Sequence, residues 1–258
     1  MQISVDVGGT NIRVAGSPSL VDLGFADSIE RSKITHNYQQ EIEFIVQAAR
    51  QCAKGGDIDA LGICVPGTLN TDKTSLEFAQ NLQWWEGKPF VAMLARELSC
   101  RVYAEHDGIA AGLGEAYYGA APDEFCYLVW GTGIGGAEVR KGSDGHVRVE
   151  EIDWQTTFSV WESDCGGRAL HDHYGSPSEE LRSEQWLEVR QKFAAHLREF
   201  VVRTGARNIV FGGGLALRHK EFLEGIHIDQ LDGIQVTGFG DEAGLYGGFA
   251  VARQAASA

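Results

Sequence analysis

Hydrophobic and polar residues alternate with period two in Ile3-Ser4-Val5-Asp6-Val7, which predicts a β-strand. Gly8-Gly9-Thr10 interrupts the pattern, and Ile12-Arg13-Val14-Ala15 resumes it. The same arrangement recurs downstream. Cys126-Tyr127-Leu128-Val129-Trp130 runs into Gly131-Thr132-Gly133-Ile134-Gly135-Gly136, and Ala137-Glu138-Val139-Arg140 follows. A strand, a glycine turn and a second strand read as a hairpin in both places, so the chain is expected to hold two related halves.

Between and after these hairpins the apolar spacing lengthens to that of helices, over Glu41 to Ala53, Pro89 to Ser99, a small-residue stretch from about Gly108 to Tyr118, and Ser183 to about Arg203. Gly205 reads as the stop signal of the last of these. Ala60 to Val65 and Asn208 to Phe211 are short apolar runs that read as buried strands, and Arg101 to Ala104 reads as another strand. A glycine- and alanine-rich helix covers about Asp241 to Ala255. Alternating strands and helices imply an α/β fold. The domain change is expected near Asp107 to Gly108, with a first domain over 1–107, a second over 108–244, and the helix from about 245 to 258 crossing back onto the first.

The 258 residues are 43% hydrophobic, enough to bury a substantial core. A formal net charge of −14, with no run concentrating the 22 Lys and Arg residues, argues against a nucleic-acid or anionic-membrane partner. No stretch approaches the roughly 18 uninterrupted apolar residues that cross a bilayer. The chain opens on a strand rather than on a secretory signal, so a cytoplasmic location is expected. Five scattered cysteines, Cys52, Cys64, Cys100, Cys126 and Cys165, read as reduced thiols.

A glycine turn directly after a strand lets backbone N–H groups approach phosphate oxygens, and Thr10 and Thr132 each add a hydroxyl donor. Two such turns suggest a nucleotide gripped twice. Gly131 to Gly136 also matches the dinucleotide pattern G-x-G-x-x-G, but a helix should open at the third glycine, and Ala137 to Arg140 reads as a strand. No P-loop pattern occurs. Asp6 ends the first strand, where a carboxylate can hold the water shell of Mg²⁺ on nucleotide phosphates; as a residue before Gly-Gly it could equally cap the turn. Asp107 follows a strand and precedes a helix, a position suited both to a helix cap and to a rigid base near a hydroxyl. Asn81 offers an amide to sugar hydroxyls, and Trp84 and Trp85 are either its neighbours at a ligand or core residues.

These segments together resemble the ROK family of repressors, open reading frames and kinases, within the hexokinase and actin-like superfamily. Asp6-Val7-Gly8-Gly9-Thr10-Asn11 resembles its first phosphate motif, and Pro66-Gly67 with Asn81-Leu82-x-Trp84 its sugar-side segment. Glu105-x-Asp107-Gly108-x-Ala110-Ala111 resembles its catalytic segment, Gly131 to Gly136 its second phosphate motif, and Gly212-Gly213-Gly214 its adenosine-side motif. The resemblance implies a two-domain, ribonuclease H-like ATPase fold with a central cleft and a homodimer. It implies an ATP- and Mg²⁺-dependent kinase phosphorylating the 6-hydroxyl of glucose or a related hexose, with Asp107 as the base. Gly67, Asn81, His106, Asp107 and Glu151 would bind the sugar. Asp6, Gly8, Gly9, Thr10, Asn11, Gly131, Thr132, Gly133, Gly213 and Gly214 would bind the nucleotide, Asp6 reaching Mg²⁺ through water.

The pattern breaks in two places. His106 stands where the family usually has an Asn touching the sugar. The family's structural zinc uses a His and three cysteines, whereas Glu151-Ile152-Asp153-Trp154 and the single Cys165 remain here, so no structural zinc is expected. Cys165, His171 and His173 do not have a standard zinc spacing, and the two histidines read as exposed on a helix. Glu162 reads either as a support for the sugar-side loop or as a solvated charge. Fructokinase or N-acetylhexosamine kinase specificity, polyphosphate as donor, and a non-catalytic or regulatory sugar-binding role stand as alternatives.

Overall fold

The structure, a computed structural model, describes residues 1–25 and 29–256. It divides into two compact units, one of Met1–Tyr118 with the segment from Glu242 onward, the other of Gly119–Asp241.

In the first unit, β1 (Gln2–Val7), β2 (Asn11–Ser17) and β3 (Ile29–Lys33) form an antiparallel meander, and β4 (Ala60–Val65) adds to β1 in parallel. Helix α1 (Tyr38–Ala53) connects β3 to β4. Every residue of β4 is buried, as expected of a strand flanked on both sides in a mixed sheet. A small hairpin of β5 (Thr68–Leu69) and β6 (Leu76–Phe78) follows. Helix α2 (Phe90–Leu98) then leads to β7 (Arg101–His106), parallel to β4, and α3 (Asp107–Tyr118) starts where β7 stops. The sheet order is β3-β2-β1-β4-β7. Ile3, Val5 and Val7 pack with Ile42, Ile45 and Val46 of α1 and with Phe90 and Leu94 of α2 in one core.

The second unit repeats this plan. Strands β8 (Glu124–Trp130), β9 (Ile134–Lys141) and β10 (Val147–Glu151) form the antiparallel meander. The short helices α4 (Trp154–Thr157), α5 (Ser159–Cys165) and α6 (Gly167–Tyr174) precede the long α7 (Ser183–Thr204). Strand β11 (Asn208–Gly212), helices α8 (Gly214–Arg218) and α9 (Lys220–Glu224), and β12 (Gly233–Val236) complete the unit, in the sheet order β10-β9-β8-β11-β12. Both expected hairpins are present, and β11 pairs with β8 and β12 in parallel, as β4 does with β1 and β7. The core is aromatic, with Trp130, Phe158, Trp161, Phe193, Phe200 and Phe211 buried together. Helix α7 ends on Gly205 in the left-handed conformation, and its first turn is closed by Arg182, whose backbone N–H donates to Gln185 Oε1 at 2.8 Å.

The chain then returns to the first unit in α10 (Ala243–Ala256), which packs on α3, β4 and β1. Period-two alternation along β1 turns Ser4 and Asp6 toward this helix and away from the α1 core. Ser4 Oγ donates to Leu245 O at 2.7 Å. The sequence-based boundary at Asp107–Gly108 coincides with the start of α3, and the compact unit runs on to Tyr118. Among the described residues no helix is long and apolar enough to cross a membrane.

Candidate functional site

The carboxyl ends of β1, β4 and β7 gather the first unit's chemistry, as parallel strands of α/β folds do. Asp6 on β1 is 9% exposed. A Cβ on Gly244, at the start of α10, would lie 2.6 Å from Asp6 Oδ1, so only glycine lets the helix approach that carboxylate. Arg13 Nε stands 3.5 Å from Asp6 Oδ2. Burial pushes the Asp6 carboxyl up to about 6, against the pull of Arg13 and with a further push from the Asp107 charge. The turn beyond Asp6 is closed by Gly8 N–H donating to Asn11 O at 2.8 Å, and Gly9, Thr10 and Asn11 are exposed.

A raised carboxyl pKa carries a defined stability consequence. Between the unfolded value near 3.8 and the folded value near 6, the folded metal-free protein holds a proton that the unfolded chain has released. Stability therefore falls as pH rises through that window, by about 1–3 kcal/mol from this group. Asp6→Asn is expected to be more stable than the parent at pH 7.5 by that order, with the advantage gone at pH 4. Urea titrations of the metal-free proteins at the two pH values check it, and a pH-independent difference would exclude Asp6 titration as the source.

Glu105, His106 and Asp107 sit at the β7–α3 junction. Glu105 Oε1 accepts from His106 N at 3.0 Å, and Glu105 Oε2 pairs with Lys73 Nζ of the β5–β6 hairpin. Asp107 Oδ1 accepts from Gly108 N at 2.7 Å, and His106 Nε2 lies 3.2 Å from the same oxygen. The expected helix-capping role of Asp107 thus takes the form of a bond to the next residue's amide, and its side chain stays 48% exposed.

The sugar-side segment is fixed from below. Gly67 has φ +104°, and a Cβ there would lie 2.7 Å from that of Ala79, so glycine is required both by conformation and by space. Asn81 is exposed, and its Cβ is 3.4 Å from the position a Cβ on Gly9 would take, which brings the amide segment beside the first glycine turn. Glu41 of α1, 1% exposed, accepts the indole N–H of Trp84 at 2.6 Å and of Trp85 at 2.7 Å, and Thr35 N at 2.8 Å. These bonds hold its carboxyl below the usual range although burial acts the other way. Both indole donors are thereby spent inside the protein, and the tryptophans are supports of the segment.

In the second unit, Gly131 N donates to Gly133 O at 3.0 Å to form the β8–β9 turn. Gly131 O and Thr132 O accept from Gly167 N (2.8 Å) and Arg168 N (2.9 Å). Glu162 Oε2 accepts from Ile134 N at 2.7 Å and from the Trp154 indole at 3.3 Å. Glu162 is therefore a support rather than a solvated charge, but of this glycine turn and not of the sugar-side loop. A Cβ on Gly133 would lie 3.1 Å from Glu162 Cδ. Gly213, with φ +93°, is wedged against the Trp130 carbonyl carbon, 2.8 Å from where its Cβ would be, and Gly214 N lies 3.8 Å from a Cβ placed on Gly131. The second glycine turn and the third glycine cluster are therefore neighbours. After Gly136 the chain continues as β9, so the dinucleotide pattern lacks its helix.

Glu151 is exposed at the end of β10, paired in register with Ala137. Cys165 is buried, its Sγ 3.8 Å from Val189 O, while His171 and His173 are exposed on α6. Among the described residues no three His, Cys, Asp or Glu side chains are grouped to hold a metal ion.

The ROK family model matches residues 2–255. A glucokinase from Thermotoga maritima is 29% identical over 143 residues, covering 54% of this chain and 44% of that protein, so this match spans less than half of the relative. A fructokinase from Zymomonas mobilis is 23% identical and matches over 96% of this chain and 95% of its own length. The crystal structure of a ROK family glucokinase from Streptomyces griseus with glucose and AMPPNP superposes with a TM-score of 0.74 at 20% identity, covering 98% of this chain and 99% of that one. This likeness carries the fold, the actin-like α/β ATPase fold that the family resemblance implied. With the family model spanning almost every residue, the chain belongs to the ROK family.

Proposed function

We propose that the protein is a sugar kinase that transfers the γ-phosphoryl group of ATP to the 6-hydroxyl of glucose or a related hexose. The observation that carries this reading is the Asp107 carboxylate. Its Oδ1 accepts Gly108 N–H, and it stands half-exposed at the carboxyl end of β7 with the buried Asp6 close enough to feel its charge. The relatives named glucokinase and fructokinase support the same class of reaction.

Asp107 accepts the hydroxyl proton as the oxygen attacks the γ-phosphorus, and the bond to the β–γ bridging oxygen breaks with ADP leaving. The transition state is loose, so positioning and charge neutralisation supply most of the acceleration. Gly67, Asn81, His106 and Glu151 are assigned to the sugar. The turns at Gly8-Gly9-Thr10-Asn11 and Gly131-Thr132-Gly133 are assigned to the phosphates, and Gly213-Gly214 to the nucleoside. Mg²⁺ fits Asp6. A buried carboxyl with a raised pKa and a second carboxylate nearby is relieved by a divalent cation, and Asp6 would hold it through water. When bound, the ion neutralises charge on the transferring phosphoryl group. A homodimer in the cytoplasm completes the proposal.

The test is ADP release with Mg²⁺-ATP across glucose, mannose, fructose and N-acetylhexosamines. Turnover of one sugar supports the kinase and names its substrate; sugar binding without turnover of any of them moves the protein to the regulatory or non-catalytic class. A narrower expectation concerns the second turn. Glu162→Ala removes the acceptor of Ile134 N–H and is expected to raise the KM for ATP about tenfold, the equivalent of one hydrogen bond to a charged group, with the sugar KM unchanged. An equal rise in both constants would mean that Glu162 acts on the whole fold.

A further inference from the structure

We propose that Glu41 is a positioning residue that couples the two ligand sites of the first unit, so that a nucleotide seated on the first glycine turn strengthens sugar binding at Asn81. The inference deepens the kinase reading and rests on it for the identity of the two ligands. Glu41 is buried in the first turn of α1, 43 and 44 residues along the chain from the two indoles it holds. Its two oxygens face different partners. Oε1 accepts from Thr35 N at 2.8 Å and from Thr35 Oγ1 at 3.2 Å, and Oε2 accepts from the Trp84 and Trp85 indoles at 2.6 and 2.7 Å. Four donors converging on two oxygens suit an ionised carboxylate, which only accepts. Helix capping does not account for it, because the start of α1 is already closed by Asn37, whose Oδ1 accepts from Gln40 N at 3.2 Å.

Each side of this carboxylate leads within a few residues to a ligand-facing segment. On the Oε1 side, Ile34, the neighbour of Thr35, donates its N–H to Thr10 O at 2.9 Å and so extends the β2–β3 pairing into the glycine turn. On the Oε2 side, both tryptophans belong to the single 3₁₀ turn Gln83–Trp85. Leu82 N donates to Ala79 O at 3.0 Å and Trp85 N to Leu82 O at 2.9 Å, which fixes the backbone that carries Asn81. The circuit closes where Asn81 Cβ lies 3.4 Å from the Cβ position of Gly9. His36 adds a second strap: it holds a left-handed backbone, φ +59°, uncommon for a residue other than glycine, and its ring meets the Trp84 ring edge-on at 4.5 Å. A phosphate that orders the glycine turn therefore also orders the Asn81 segment, and the second ligand meets a site with less freedom left to lose. The same factor must act in the other direction, from sugar to nucleotide.

Calorimetry reads the coupling as a ratio. The dissociation constant of the hexose that the parent turns over, or of glucose if it turns over none, is measured alone and with saturating Mg²⁺ and AMPPNP. The parent is expected to bind the sugar about tenfold tighter with AMPPNP present, within the usual range for coupled sites. Glu41→Gln keeps the shape, but its single oxygen can serve either Thr35 or the indoles. Its ratio is expected to fall to within about twofold of unity. A variant that weakens both ligands while keeping the parent's ratio makes Glu41 a support of the fold and overturns the proposal. Trp84→Phe removes one indole donor at a half-buried position and covers the case in which Glu41→Gln does not fold. Its ratio should fall part of the way, and an unchanged ratio there overturns the proposal too. ¹⁵N–¹H NMR of the indoles gives a reading without sugar or turnover. The Trp84 and Trp85 signals, assigned by their loss in Trp84→Phe and Trp85→Phe, are expected to shift when the parent takes up AMPPNP and to stay in place in Glu41→Gln. Silent indoles in a parent that binds AMPPNP overturn the coupling and leave the kinase reading untouched. A parent that phosphorylates no hexose while its indoles answer to AMPPNP sinks the kinase reading alone, and a parent that binds no AMPPNP removes both.

Discussion

Asp107→Ala is expected to lower kcat on the preferred hexose by about 10²- to 10⁴-fold, the range that a positioned general base contributes. The sugar and ATP dissociation constants should move little. The reason for this separation is geometric. The Asp107 side chain is 48% exposed, so its removal opens no cavity, and the structural bond it makes is the one from Gly108 N–H to Oδ1. Losing an acceptor at a helix start costs about 1 kcal/mol, which leaves the variant folded. Asp107→Asn is the sharper companion. An amide oxygen can still accept from Gly108 N–H, so the local fold is kept, but it cannot take the proton. Activity in Asp107→Asn as low as in Asp107→Ala, with sugar binding intact by calorimetry, is the expected pair of results. A kcat within tenfold of the parent in both variants would remove Asp107 from the base role and leave the buried Asp6 as the next carboxylate to test.

The parts of this molecule that were legible in the sequence are those whose signal is local. β1, β4, β8 and β11 are short apolar or alternating runs bounded by glycine, and α7 is a long periodic helix ending at Gly205. Two edge strands, β3 and β10, gave no such signal, whereas the edge strand β7 was read over Arg101 to Ala104. β3, Ile29-Glu30-Arg31-Ser32-Lys33, has no fully buried residue, and β10 carries charge at three of its five positions. Sheet edges are kept polar to discourage unwanted pairing, and that removes the pattern by which a strand is read. The site divides in the same way. Asp6, Asp107 and the glycine turns announce themselves within a few residues of a strand end. Glu41 reaches Trp84 and Trp85, Lys73 reaches Glu105, and Gly244 faces Asp6, each across a long stretch of chain, and these pairings follow from the packing of elements. One signal was present for Glu41: it occupies a position of α1 that is flanked by the buried Ile42 and Ile45, where an acid must find donors. The two indoles next to Asn81 were the available donors.

The last helix shows how much of the first unit depends on the absence of side chains. Gly244, Gly247 and Gly248 lie on one face of α10, where Cβ atoms would meet Asp6, the backbone at Ala110 and Ser4 respectively. On β4, Gly62 completes the contact. A Cβ there would overlap Gly248 O, lie 2.8 Å from its carbonyl carbon and stand 3.2 Å from Ala252 N, and none of these is a flexible side-chain end that could swing away. Gly62→Ala must therefore lift α10 off the sheet. The expected cost is about 3 kcal/mol, the upper end for overpacking a core, which corresponds to a fall in Tm of about 6–12 °C for a protein of this size. Gly233→Ala is the matched control: no atom lies within 4 Å of its Cβ position and its φ is not positive, so a change within about 0.5 kcal/mol is expected. Activity should fall with Gly62→Ala even where the protein remains folded, because the displaced helix is the one that carries Gly244 against Asp6. A Gly62→Ala protein with the parent's Tm would mean that α10 and β4 are farther apart in solution than this packing requires, and a protein destabilised but fully active would mean that the position of α10 does not reach Asp6.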